Sequence, residues 1–145
     1  MYENEPDQIY EVACRLVAAG ISVIPTGGGI SPKAKQPHYQ ALKATGHSYT
    51  REDGKECGSW KAMQERLPTQ EELATWYLQE RARGLGIVTG AISGLVVIDV
   101  DAEGLPLLKE LGWKPHVISP SGGAHLYLKH PGWDVQSNAS KNQKA

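Results

Sequence analysis

The stretch Leu95-Val96-Val97-Ile98-Asp99-Val100-Asp101 decides how this chain is read. Its apolar, β-branched residues predict a strand, and strand side chains alternate between faces. Val96, Ile98 and Val100 then share one face, while Val97, Asp99 and Asp101 share the other. Same-face neighbours lie ~6–7 Å apart at a rise of about 3.3 Å per residue, so two carboxylates so placed can converge on one cation. Magnesium suits such a pair, because it takes one or two carboxylates with waters and substrate phosphate oxygens. A two-ion site spans ~3.5–4 Å and is helped by a further carboxylate. The plainer alternative is that Asp101 caps a helix near Leu105 and Asp99 merely ends a strand. Asp99 weighs against it, since an acid within so apolar a strand is costly without a partner.

About twenty residues on, Ser121-Gly122-Gly123-Ala124-His125 opens another strand. Two glycines permit a tight turn whose N–H groups can face an anion. Beyond it His125, Tyr127 and Lys129 fall on one face, and Ala124, Leu126 and Leu128 on the other. This is a cation-capable stripe beside a glycine turn, as a triphosphate requires. Alone the pattern would equally suit a plain hairpin with a surface histidine; beside the acidic pair it points to phosphate.

Outward from these strands the chain alternates helix and strand. Ile9, Val12, Ala13, Leu16 and Val17 recur at helical spacing, with Gly20 as a stop, and Ile21 to Ile24 form a short strand ending at Pro25. Thr26 to Gly58 reads as a long loop, a length usually functional or mobile. It carries Lys33, Lys35, Lys43, Arg51 and Lys55, with Lys61 just beyond, diluted by acids and read mostly as a solvated face. Thr69 and Glu72 form a capping box ahead of Leu73, Trp76 and Tyr77. Leu85 to Thr89 is a strand and Gly90 to Gly94 a turn. The glycines of Gly86 to Gly90 offer a ligand close access to backbone, or serve a simple hairpin into the acidic strand. Leu105 to Leu111 is a short helix, and His116 to Ser119 and Ala124 to Lys129 are strands. The order argues for an α/β or α+β domain whose hairpin-like links disfavour a purely parallel sheet. The tail from Ser137 reads as loop. Trp60, Trp113 and Trp133 could stack bases but equally fill a core.

Bulk properties exclude several classes. A length of 145 residues suits one domain with its own core. Cys14 and Cys57 have no zinc-site spacing and make no disulfide framework, and Cys14 falls on the apolar side of its helix. The acidic start, Met1 to Asp7, is no signal peptide, and no apolar run approaches the roughly 18 residues of a membrane span. The expected location is cytoplasmic. Fifteen Lys and Arg against sixteen Asp and Glu give a net charge of −1, so any contact with nucleic acid must be a local patch.

The ordered set Lys35-Gln36-Pro37, Gly86-Ile87-Val88-Thr89-Gly90, Ser93 to Asp101 and Ser121 to Tyr127 resembles the primase-polymerase branch of the archaeo-eukaryotic primase superfamily. The similarity runs from the first helix to about Pro131. It implies an α+β fold: an RRM-like mixed or antiparallel sheet core beside an N-terminal α/β unit. It also implies a DNA primase/polymerase, a nucleotidyltransferase common in replication proteins of phages and plasmids, often ahead of a helicase domain. Carried over, Asp99 and Asp101 bind catalytic Mg2+ or Mn2+, and His125 contacts the phosphates of the incoming nucleotide. Ser121, Gly122 and Gly123 form the phosphate-binding turn, and Lys35 joins the nucleotide-binding set. The partners implied are nucleoside triphosphates and a DNA template and primer.

One departure stands out. The family carries a third carboxylate on a later strand, and no matching segment follows here, Asp134 being the sole acid after Glu110. The expectation is a primase-polymerase-like domain spanning 1–145, cut off before its third acidic motif. A non-catalytic nucleotide- or nucleic-acid-binding module on the same fold is the alternative. A phosphohydrolase of the haloacid-dehalogenase type also ends a strand in Asp-x-Asp, but it wants Gly-Thr next, where Ala102 and Glu103 stand here, and it leaves the glycine-histidine turn unexplained.

Overall fold

The computed structural model describes residues 5–28, 33–119 and 121–136. Met1 to Asn4 and the tail from Ser137, both read above, lie outside the described residues, as do Pro120 and positions 29–32 of the long loop. The chain divides into two compact units, Met1–Gly94 and Leu95–Ala145.

In the first unit, α1 (Glu5–Ala18) is followed by Gly20 at φ 85°, and the N–H of Ile21 returns to the Leu16 carbonyl at 2.9 Å. That left-handed glycine closes the helix as its position predicted. Next, β1 (Val23–Thr26) takes in Pro25, whose carbonyl accepts from the His38 N–H. The remaining elements are α2 (Tyr39–Ala44), the hairpin strands β2 (Ser48–Thr50) and β3 (Glu56–Gly58), a 3-10 turn at Lys61–Gln64, α3 (Gln70–Ala74) and β4 (Gly84–Ile87). A single-turn π segment, Thr75–Gln79, extends α3. Antiparallel β1 and β4 pair Val23 with Ile87 and Thr26 with Gly84. Ala13, Val23, Leu42, Met63, Leu73, Trp76 and Tyr77 are fully buried together. Burying such apolar side chains stabilises by roughly 1.5–3 kcal/mol each before entropy is counted.

Polar groups in this core are matched. Ser22 donates its hydroxyl to the Met63 carbonyl at 2.6 Å, and its N–H donates to Ser93 Oγ at 2.8 Å. Trp76 Nε1 donates to Thr45 Oγ1 at 2.9 Å. Thr69 and Glu72 form the expected capping box. The same carboxylate accepts from Arg66 at 2.7 and 3.0 Å and pairs with His47. Burial by itself would raise the Glu72 pKa. The bonds from Arg66, His47 and the Thr69 N–H outweigh it and bring the group down to about 2.

In the second unit, β5 (Leu95–Val100) leads through a 3-10 turn, Ala102–Gly104, into α4 (Leu105–Glu110), then β6 (Val117–Ile118) and β7 (Ala124–Lys129). The sheet order is β5-β7-β6, antiparallel throughout. Its inner face supplies Ile98, Val100, Ala124 and Leu126, which pack with Leu105 and Leu108 of α4. The period-two pattern of both long strands is thus realised.

Two expectations need correction. The stretch from Thr26 to Gly58 is not a structureless loop, for it holds α2 and the β2–β3 hairpin. The turn after β4 does not close a hairpin either: β4 pairs with β1 and β5 with β7. Local glycines cannot report such long-range partners. The mixed α and β content with small antiparallel sheets agrees with the α+β reading. Among the described residues no helix is long and apolar enough to cross a membrane.

Candidate active site

Antiparallel register places Asp99 directly opposite His125, with Val97 opposite Tyr127 and Leu95 opposite Lys129. Directly paired residues point to the same face, so these six side chains lie away from the face that packs on α4. Asp99 Oδ1 lies 3.4 Å from His125 Nε2. The carboxylate is 72% exposed and the imidazole 32%. The burial cost expected of an acid in this strand is therefore absent, and an ion pair so open to water is worth little for stability.

Asp101 lies one residue past the end of β5, exposed, with φ −65° and ψ 159°. Its backbone carbonyl accepts from the Gly104 N–H at 2.8 Å, but its side chain makes no cap. The capping alternative for Asp101 therefore does not describe this carboxylate.

The glycine turn meets the same end of the strand pair. Gly122 takes φ 86°, and its N–H donates to the Ser119 carbonyl at 2.9 Å. The Ser119 N–H in turn donates to the Gly123 carbonyl at 2.8 Å, and the hydroxyls of Ser119 and Ser121 lie 3.0 Å apart. One of the turn's N–H groups is thus engaged internally, while two hydroxyls sit side by side at its edge.

His116 was not singled out by the sequence, and no spacing signalled it. Its Nδ1 accepts from the Tyr127 N–H at 3.1 Å, and its own backbone N–H donates to the His125 carbonyl at 3.0 Å. The Tyr127 ring meets both imidazoles edge-on, at centroid distances of 6.1 Å to His116 and 6.3 Å to His125. Such T-shaped contacts restrict the His125 ring.

Lys35 belongs to the first unit. It is exposed, in a turn closed by the Gln36 N–H on the Lys33 carbonyl, beyond which Gly28 and Gly27 donate to the Ala34 and Gln36 carbonyls. Ser93 holds Ser22 and donates to the Val88 carbonyl, which gives that part of the glycine-rich stretch a structural task.

Asp99 and Asp101 are hard oxygen donors, the type that magnesium and manganese take. Among the described residues no three His, Cys, Asp or Glu side chains are grouped as a metal site, so the two carboxylates fit such an ion as part of a set.

The second unit thus sets two exposed acids beside a glycine-histidine turn. The family model described as "Bifunctional DNA primase/polymerase, N-terminal" matches residues 13–145, and the chain belongs to that family. Comparisons with curated proteins and with solved structures found no match.

Proposed function

We propose that the chain performs template-directed nucleotidyl transfer as a DNA primase/polymerase of a phage, plasmid or other mobile element, with Asp99, Asp101 and His125 at its reacting centre. The observation that carries this reading is the pairing of Asp99 with His125 across β5 and β7, both facing solvent rather than the core. In this reading the three-stranded sheet of the second unit is part of an RRM-like core.

Asp99 and Asp101 would hold Mg2+ or Mn2+. A bound divalent ion supplies charge neutralisation on the phosphates and lowers the pKa of a coordinated hydroxyl. His125 orients and neutralises the triphosphate, held in place by Asp99 on one side and the Tyr127 ring on the other. The Ser119 and Ser121 hydroxyls donate to phosphate oxygens at the mouth of the glycine turn.

The test is primer extension and primer synthesis with each ribo- and deoxynucleoside triphosphate and either ion. Asp99→Ala should lower incorporation by at least about 10²-fold, the scale of losing a key electrostatic group. Its melting temperature should not move, because the carboxylate is exposed. Unchanged incorporation would sink the assignment. Nucleotide binding by the wild-type chain without any incorporation would favour the non-catalytic module instead.

A further inference from the structure

The β2–β3 hairpin and α2 enclose a hollow of about 680 Å3 that contains neither Asp99, His125 nor Lys35. A neighbouring hollow of about 400 Å3 shares Tyr39, Tyr49 and Gly58 and extends to Trp60 and Lys61. Tyr39 is 48% exposed and Tyr49 54%. All three residues of β2 face solvent, so Tyr49 serves no core. Two large rings left open around one concavity are the kind of surface that marks a binding site.

The walls are firmly set. Gly58 is buried against α2, where a Cβ would lie 2.9 Å from the Tyr39 Cα and collide with its carbonyl. The Tyr39 backbone therefore packs directly on β3, the strand that pairs with the one carrying Tyr49. The Ser59 N–H also donates to the His47 carbonyl at 2.9 Å, which ties the hairpin's two ends together.

Charge is nearly balanced. Lys43 and Arg51 line the hollow, and Lys61 lies in its extension. Against them stand Glu56, which accepts from Ser48 Oγ at 2.7 Å, and Asp53, 3.5 Å from Arg51. A ligand with several adjacent negative charges gains little here. One with flat apolar faces and a single charge per repeat fits better.

We propose that this hollow binds unpaired bases of single-stranded DNA, stacked on Tyr39 and Tyr49, with backbone phosphates met by Lys43, Arg51 and Lys61. Every base has a π-face, so stacking of this kind tolerates any sequence, as copying a template demands. The choice of DNA rests on the nucleotidyl-transfer reading above. The stacking chemistry does not.

Fluorescence anisotropy of the full chain with a labelled oligo(dT) of about twelve nucleotides, within the span of known single-strand sites, tests the proposal. Tyr39→Ala/Tyr49→Ala should weaken binding at least about tenfold, from the loss of stacked rings. Tyr39→Phe/Tyr49→Phe, which keeps the rings, should stay within about twofold of wild type by the same reasoning. Lys43→Ala/Arg51→Ala should flatten the salt dependence by about 0.7 for each phosphate no longer neutralised. Equal binding by the double-alanine variant and wild type overturns the proposal. Competition by thymidine triphosphate at concentrations similar to those of the oligonucleotide also overturns it, since the hollow would then be a mononucleotide site. Asp99→Ala separates the two readings: it should bind oligo(dT) like wild type while losing incorporation. A chain that incorporates nucleotides but binds oligo(dT) independently of both tyrosines would keep the first reading and discard this one.

Discussion

Gly123 lies so close to Val100 that a Cβ there would stand 2.6 Å from the Val100 carbonyl oxygen and 3.2 Å from Ser119 Oγ. Crowding, not backbone freedom, demands the glycine. At Gly122 the reverse holds: φ is 86°, yet the nearest atom to an added Cβ is Ala102 Cβ at 3.8 Å. Gly123→Ala must move backbone and should cost about 1–3 kcal/mol, as overpacking does. Gly122→Ala should cost about 1–2 kcal/mol from its left-handed conformation alone. Denaturant midpoints give both values. Nucleotide affinity should fall more for Gly123→Ala, because the displaced carbonyl sits between Asp99 and Asp101. A neutral Gly123→Ala would show that the strand end yields freely.

Among the described residues the exposed Asp101 side chain makes no cap, so Asp101→Ala should change stability by no more than about 0.5 kcal/mol, the usual range for a surface substitution. A divalent-ion titration followed by the chain's own tryptophan emission should nevertheless shift to higher concentration. Should the variant instead melt markedly earlier, the side chain has a structural part after all.

Much of this fold is legible from sequence where burial follows a local period. β5 and β7 alternate cleanly, and the structure returns β7 as Ala124–Lys129 and the capping box at Thr69 and Glu72. The hairpin was not legible, because Ser48, Tyr49 and Thr50 are all exposed and leave no alternation to see. Nor was α2: its cap is His38, whose ring Nδ1 accepts from the Ala41 N–H at 3.1 Å, and histidine is no usual cap. Which strand pairs with which is set by contacts distant in the chain, so β4 passed for a partner of β5. At the candidate site the motifs point to Asp99 and His125, which the β5–β7 register sets opposite each other. They do not point to His116, since only the β6–β7 register brings it to Tyr127.

Glu72 should make stability depend on acid. Its folded pKa of about 2 lies below the ordinary 4.5, so the unfolded chain takes up its proton first as pH falls. The contribution is complete above pH 4.5 and is lost progressively toward pH 2. Glu72→Gln should lower stability at neutral pH by about 1–3 kcal/mol, as lost charge-assisted hydrogen bonds do. It should also flatten the acid limb of a plot of denaturant midpoint against pH. Parallel curves for wild type and variant would remove Glu72 as the cause.

Thr45→Val keeps shape but removes the acceptor for Trp76 Nε1, a group on a fully buried side chain. An orphaned buried donor costs about 1–3 kcal/mol. Urea unfolding should show that loss with an unchanged slope, and a smaller loss would mean the indole finds another acceptor.

Among the described residues β5 pairs with β7 alone, so the strand that carries Asp99 is also a margin of its sheet. Its outward row of N–H and C=O groups can accept an additional strand. That margin carries a hazard. At high protein concentration, two copies joining edge to edge along β5 is the self-association this architecture invites.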